Sequence, residues 1–179
     1  MNRFKDKVVL VTGGNRNTGL WIVKKFADEG AKVFMCGSSE ASTAKGVEAL
    51  VTMGVKGVIA QACDVGNKAQ VEALMDLIEK EAGRLDILVN NAADQGLGLG
   101  PILEMDPDAI LKVMGTNVRG GFQVTQAAAK RFFVKQESHG TVVFLSSNTA
   151  TRAIRGRAAY CASKGAINSL VRALALDLA

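Results

Sequence analysis

Short apolar runs alternate with longer amphipathic segments along the whole chain, and this alternation restricts the fold more than any other feature. Val8–Thr12, Lys32–Cys36, Gly57–Cys63, Leu85–Asn90 and Thr141–Ser146 read as buried-type strands. Between them the apolar spacing predicts helices over Thr18–Glu29, Ser39–Met53, Lys68–Ala82, Pro107 to about Lys135, and Arg157–Leu178. Gly30, Gly54 and Gly83 follow the first three helices, where a left-handed residue stops the turn. Asp106-Pro107-Asp108 supplies the fourth with a cap, an N1 proline and a first-turn acid. Strands alternating with helices imply βαβ units, hence a single α/β domain over residues 1–179 built on a doubly wound parallel sheet. The glycine-rich segment Gly96–Pro101 reads as a mobile loop.

Two motifs on this frame carry chemistry. After the first strand comes Thr12-Gly13-Gly14-Asn15-Arg16-Asn17-Thr18-Gly19, which opens into a helix. A glycine-rich strand-to-helix turn lets the backbone approach a pyrophosphate and aims helix-terminal amides at it. The second motif is Ser147, Tyr160 and Lys164 in an S-x12-Y-x3-K arrangement, with Tyr160 the chain's one tyrosine. Lys164 stands one helical turn from Tyr160 on the same face. A phenol is a poor acid at neutral pH, and a neighbouring ammonium favours its ionised form. Shifting a phenol by about three units takes roughly 4 kcal/mol, which one cation at about 4 Å supplies at an effective dielectric of about 20. A hydroxyl such as Ser147 can then hold a carbonyl oxygen on which charge develops. Alone, the spacing also describes a buried tyrosine beside a snorkelling lysine; its position after the glycine turn and the alternating frame favours chemistry.

Bulk properties exclude other classes. The chain is 48% hydrophobic and 22% charged, and no apolar run approaches the roughly 20 residues of a membrane span. Met1 to Lys7 is charged and leads into a strand, so no secretory signal is expected. Cys36, Cys63 and Cys161 have neither disulfide-framework nor zinc spacing, which points to reduced thiols, a cytoplasmic chain and no metal site. A net charge of +5 is dispersed with no aromatic-interleaved patch, so no nucleic acid is expected as partner; a small anionic ligand fits the excess. His139 in Ser138-His139-Gly140 reads as a solvated turn residue, and Cys161 as a packing residue.

Together these residues resemble the short-chain dehydrogenase/reductase family, classical type, with a flavour of 3-oxoacyl-carrier-protein reductases. That family's motifs are T-G-x3-G-x-G and S with Y-x3-K. Further marks are Asp64-Val65 after the third strand, Asn90-Asn91-Ala92-Ala93 after the fourth, and Asn117 in the long helix. The resemblance runs from about Lys7 to Ala179. It implies a Rossmann fold and an oxidoreductase interconverting a carbonyl and a secondary alcohol on a small-molecule substrate. It implies Tyr160 as general acid/base and Lys164 as the group that tunes Tyr160 and bonds the nicotinamide ribose. Ser147 would position the substrate oxygen, and Asn117 would hold a water in a relay to Lys164. Gly13, Asn15, Arg16, Asn17, Thr18 and Gly19 would cradle the phosphates, Asp64 and Val65 would meet the adenine, and Asn91, Ala92 and Ala93 would line the adenosine side. It also implies a homodimer or homotetramer formed through the long helix and the helix of Tyr160. Two plainer readings stand beside these roles: Asp64 as the cap of the helix near Asn67, and Ser147 as an ordinary strand-end hydroxyl. A dinucleotide-binding module without turnover, or a truncated inactive fragment, is the alternative for the whole.

NAD-preferring members of that family place an acid at the end of the second strand. Here that stretch is Cys36-Gly37-Ser38-Ser39, with no acid before Glu40. Arg16 with Ser38 and Ser39 makes a 2′-phosphate pocket, so NADP is expected over NAD; a solvated arginine beside a helix-capping serine pair is the plainer alternative. Asn17, Ala93 and Trp21 depart from the family pattern. Trp21, where the first helix packs on the sheet, is expected to cause a local shift there or to crowd the cofactor site. Family members continue past the last helix with further strands and a substrate-covering segment. The resemblance therefore implies a fragment of a longer protein, with the fifth strand left as an apolar edge.

Overall fold

A computed structural model of the chain describes residues 2–96 and 98–179; Met1, heading the charged N-terminal segment, and Leu97, within the glycine-rich loop, lie outside them. Five parallel strands, β1 (Val8–Thr12), β2 (Lys32–Gly37), β3 (Ile59–Ala62), β4 (Ile87–Asn90) and β5 (Thr141–Phe144), form one sheet in the order β3-β2-β1-β4-β5. All of β1 is buried, as a central strand covered on both faces requires. Helices α1 (Asn17–Asp28) and α2 (Glu40–Thr52) belong with one face, where Val9, Val11, Val23, Met35 and Leu50 pack. On the other face α3 (Lys68–Ala82) and the long helix bury Leu10, Phe34, Leu74, Ile78, Val124 and Phe132. This is the expected doubly wound Rossmann architecture, with Cys36, Cys63 and Cys161 as free thiols.

The helix ends follow the sequence signals. Ser39 and Ser42 form a reciprocal capping box for α2, Asn67 caps α3, and Gly83 ends α3 at φ +66°. Asp106 caps α4 (Pro107–Met114) as expected. The long helix is not uniformly α. Wider π turns at Gly115–Gly120 and Ala129–Phe133 flank α5 (Gly121–Ala128), and neither leaves a periodicity signal in the sequence. The last helix is α6 (Ala158–Asp177). Strands β3, β4 and β5 are shorter than expected at their ends, although Cys63, Asp86 and Leu145 still donate to the neighbouring strand. The expectation for Trp21 is corrected. Gly19, Val23 and Ala27 face the sheet, and Trp21 lies on the opposite side of α1, 57% exposed.

At the strand ends opposite the cleft described below, Asp86 holds three strands together. Its carboxylate accepts from Val8 N–H at 2.8 Å and from the Arg84 guanidinium, with Lys7 Nζ at 3.8 Å. Its main chain bonds β1 through Val8 O and β5 through Thr141 N–H. Burial raises the carboxyl pKa, but the Arg84 and Val8 hydrogen bonds outweigh burial and leave it below the ordinary value of 3.8. A carboxylate with a depressed folded-state pKa contributes stability above its unfolded pKa, and that contribution is lost as pH falls through the folded one. Asp86→Asn is therefore expected to cost about 1–3 kcal/mol at neutral pH. Thermal melts should show the gap from the native chain closing below about pH 4. A gap independent of pH would contradict the assignment.

Candidate active site

The chain leaves β1 toward β2 on one side, while β4 lies on its other side, so the carboxyl ends of β1 and β4 flank a topological switch point. A cleft of about 880 Å³ opens there. Its first wall is the glycine turn. Gly13 has φ +62°, and a Cβ on it would come within 2.8 Å of Ala92 Cα. A Cβ on Gly19 would overlap the Gly13 carbonyl oxygen and lie 2.5 Å from Asn91 Nδ2. Asn17 takes the left-handed conformation at φ +47°, which asparagine tolerates, so the family's glycine is replaced without loss of the turn. Asn91 pins the turn to β4 by donating to Thr12 O at 2.9 Å and Gly13 O at 2.8 Å. Thr12 Oγ1 accepts from Asn91 and Ala92 N–H, both at 3.1 Å.

The start of α1 has no side-chain cap and no acid in its first turn, and Asn17, Thr18 and Gly19 line the cleft, so the leading amides of the helix are left for a ligand there. Bare backbone at Gly13 and Gly19, together with these amides, fits the pyrophosphate of a dinucleotide. Gly13, Asn15, Arg16, Asn17, Thr18, Gly19 and Ser38 all line the cleft, as do Asp64, Val65, Asn91, Ala92 and Ala93. Asp64 is not the cap of α3, since Asn67 Oδ1 takes the Ala69 and Gln70 amides; Asp64 instead accepts from Gly66 N–H at 2.9 Å. Ser39 is not among the lining residues. Its hydroxyl is engaged with Ser42, and Ser42 lines the cleft instead.

Tyr160 and Lys164, in the first two turns of α6, line the other end. Lys164 is 3% exposed and donates to Leu145 O at 2.7 Å, with its Nζ 5.6 Å from the Tyr160 ring centroid. Burial lowers the Lys164 pKa below its ordinary value. Ser147, half-buried beyond β5, is outside the lining residues, and its neighbours Leu145 and Ser146 are among them. Its oxygen accepts from Thr149 Oγ1 at 2.9 Å and Thr149 N–H at 3.2 Å. Asn117 lies in the first π turn, 2% exposed. Its Oδ1 accepts from Asp94 N–H at 2.6 Å, and its Nδ2 donates to Asp94 O at 3.1 Å and Ser163 Oγ at 2.9 Å. Ser163 in turn donates to Tyr160 O at 2.7 Å, so Asn117 couples the strand-β4 loop to the helix carrying Tyr160.

Sequence reasoning missed Arg157, Ser42 and Ser146, which also line the cleft. The spacing of Arg157, three residues before Tyr160 at the head of the same helix, was visible in the sequence, but spacing alone does not separate it from a solvated arginine. Ser42 carries no such signal, because its place depends on how Asn15 docks on α2 through the Ser42 carbonyl at 3.2 Å. Among the described residues no group of three metal-ligating side chains occurs, and no helix is long and apolar enough to cross a membrane.

A cradle at the switch point of a doubly wound parallel sheet defines a Rossmann-type dinucleotide-binding domain. The chain belongs to the short-chain dehydrogenase family, whose pattern it matches over residues 7–179. It is 36% identical to a 3beta-hydroxysteroid dehydrogenase of Mediterraneibacter gnavus, over all of this chain and 63% of that protein. Among solved structures, an NAD+-bound xylitol dehydrogenase superposes with a TM-score of 0.89 at 30% identity, covering 98% of this chain and 66% of that one. An actinorhodin polyketide ketoreductase variant solved with NADPH gives 0.88 at 31% identity, covering 96% and 65%. The chain thus spans less than two thirds of the length of each of these proteins.

Proposed function

We propose that this chain is the cofactor-binding and proton-transfer part of an NADP-dependent oxidoreductase that interconverts a carbonyl and a secondary alcohol. The observation that carries the reading is the presence in one cleft of a glycine-walled phosphate cradle and a Tyr160–Lys164 pair one helical turn apart. When bound, the nicotinamide supplies or accepts the hydride. Tyr160 holds the proton that the carbonyl oxygen takes up, and the Lys164 ammonium stabilises negative charge left on the phenol oxygen. Ser147 oxygen is already an acceptor twice over from Thr149, and its hydrogen makes only a 3.3 Å bond to Asn148 Oδ1. That hydrogen is available to a substrate oxygen. Both Asn117 amide hydrogens are donated and its Oδ1 accepts once, from Asp94 N–H, so a relay water would donate to the remaining lone pair of Oδ1. Asp64, Val65 and Asn91 to Ala93 hold the adenosine side. Exposed apolar Phe122 and Val171, on α5 and α6, support assembly through these helices.

The preference for NADP rests on charge. No acid follows β2 before Glu40, and Arg16 and Ser38 line the cleft beside its end. Ser42 adds a hydroxyl where Ser39 does not reach. A 2′-phosphate gains a charge-assisted hydrogen bond from Arg16 that a ribose hydroxyl does not. Arg16→Ala is expected to weaken NADPH by about tenfold or more and NADH by far less. Parallel titrations of both nucleotides test this, and equal losses would sink the assignment.

A further inference from the structure

The wall of the cleft that carries Tyr160 holds two cationic side chains, Arg157 and Lys164. From Ser138 to Leu176 the chain contains no aspartate or glutamate, while Arg152, Arg155, Arg157, Lys164 and Arg172 fall within that span. Arg152, Arg155 and Arg157 form no ion pair among the described residues. Arg157 is half-buried and lines the cleft at the head of α6, three residues before Tyr160. The first turn of α6 contains no acid, so the positive end of the helix adds to the guanidinium's field. The acids lining the cleft are Asp64, which follows the opposite edge strand β3, and Asp94, whose main chain is gripped by Asn117 and whose Oδ1 accepts from Gly96 N–H at 2.9 Å. Gly100 N–H donates to Gly156 O at 3.1 Å, which ties the glycine-rich loop to the arginine segment beside Tyr160.

A planar guanidinium beside the proton donor matches a carboxylate or phosphate in a paired, directional contact. We propose that Arg157 is a specificity residue: the carbonyl compound that meets Tyr160 carries an oxyanion, which Arg157 binds. This rests on the oxidoreductase reading above and adds a substrate class to it, that of keto acids or phosphorylated ketones.

The test is a calorimetric titration of the 179-residue chain, first with NADP+ and then, at saturating NADP+, with paired probes. The pairs are 4-oxopentanoate against its methyl ester, and dihydroxyacetone phosphate against dihydroxyacetone. The oxidised nucleotide keeps the ketones from turning over, so affinity is read without activity. At least one ionised probe should bind about tenfold or more tightly than its neutral twin. Arg157→Gln should bring that ratio close to one, and Arg157→Lys should restore part of it. The pair that shows the preference identifies the oxyanion. Ionised and neutral probes handled alike, including no binding of either, would overturn the proposal, as would a preference that survives Arg157→Gln. Failure to bind NADP+ at the first step would instead overturn the dinucleotide reading, and the substrate proposal with it. Melting curves of both variants confirm folding, which is favoured because no hydrogen bond or ion pair of the Arg157 side chain occurs among the described residues.

Discussion

Replacing Tyr160 with phenylalanine is expected to lower the rate of carbonyl reduction by about 10²–10⁴-fold while changing dinucleotide affinity only a few-fold. The ring is 9% exposed and packed in α6, so phenylalanine keeps its shape and removes only the hydroxyl. Lys164 remains held by Leu145 O, and Asn117 still reaches Tyr160's main chain through Ser163. The loss therefore isolates the proton donor from the scaffold around it. Nucleotide oxidation and nucleotide titration on the same preparations separate the two effects. A variant that keeps its rate would remove Tyr160 from the chemistry, whereas one that loses both rate and affinity would make it a packing residue.

Gly19→Ala carries the second large effect. The added methyl would overlap the Gly13 carbonyl oxygen and press on Asn91 Nδ2, the atom that pins the glycine turn to β4. Both neighbours are backbone or backbone-anchored, so neither can yield by a rotamer change. Relief requires the head of α1 to move away from the sheet. Overpacking of this kind costs about 1–3 kcal/mol, and the displaced amides lose their common aim. Dinucleotide affinity is expected to fall by about a hundredfold or more, with a lower melting temperature. Unchanged affinity would show that the turn does not act as the phosphate cradle. Trp21→Ala provides the contrast, since Trp21 is exposed and does not line the cleft, and it should leave affinity intact.

Much of the frame was legible because local signals agreed with one another. Val8–Thr12 is a run of apolar residues too short for a helix, and it became the central strand. Asn67, Gly83 and Asp106 mark helix ends by cap chemistry that operates within a few residues, so those ends fall where expected. What depended on longer-range placement was harder to read. The π turns around Asn117 show no break in apolar spacing, and Trp21 looks like a core residue until the helix phase is set by Gly19 and Val23. The cradle could be read because glycine reports backbone proximity directly. The division of labour between Ser39 and Ser42, one capping and one facing the cleft, follows from how α2 sits against Asn15, and sequence does not encode that locally. Arg157 is a different case. Its spacing from Tyr160 was visible, but a lone arginine on a helix is usually solvated, and only its place in the cleft gives it meaning.

The central claim is that residues of this chain alone build a nicotinamide dinucleotide site, with Arg16 favouring the 2′-phosphate. Calorimetric titration of the 179-residue chain with NADPH and NADH tests it most directly. Saturable binding of one nucleotide per chain, NADPH the tighter by about tenfold or more, is the predicted result. A chain that melts cooperatively yet binds neither nucleotide would contradict it.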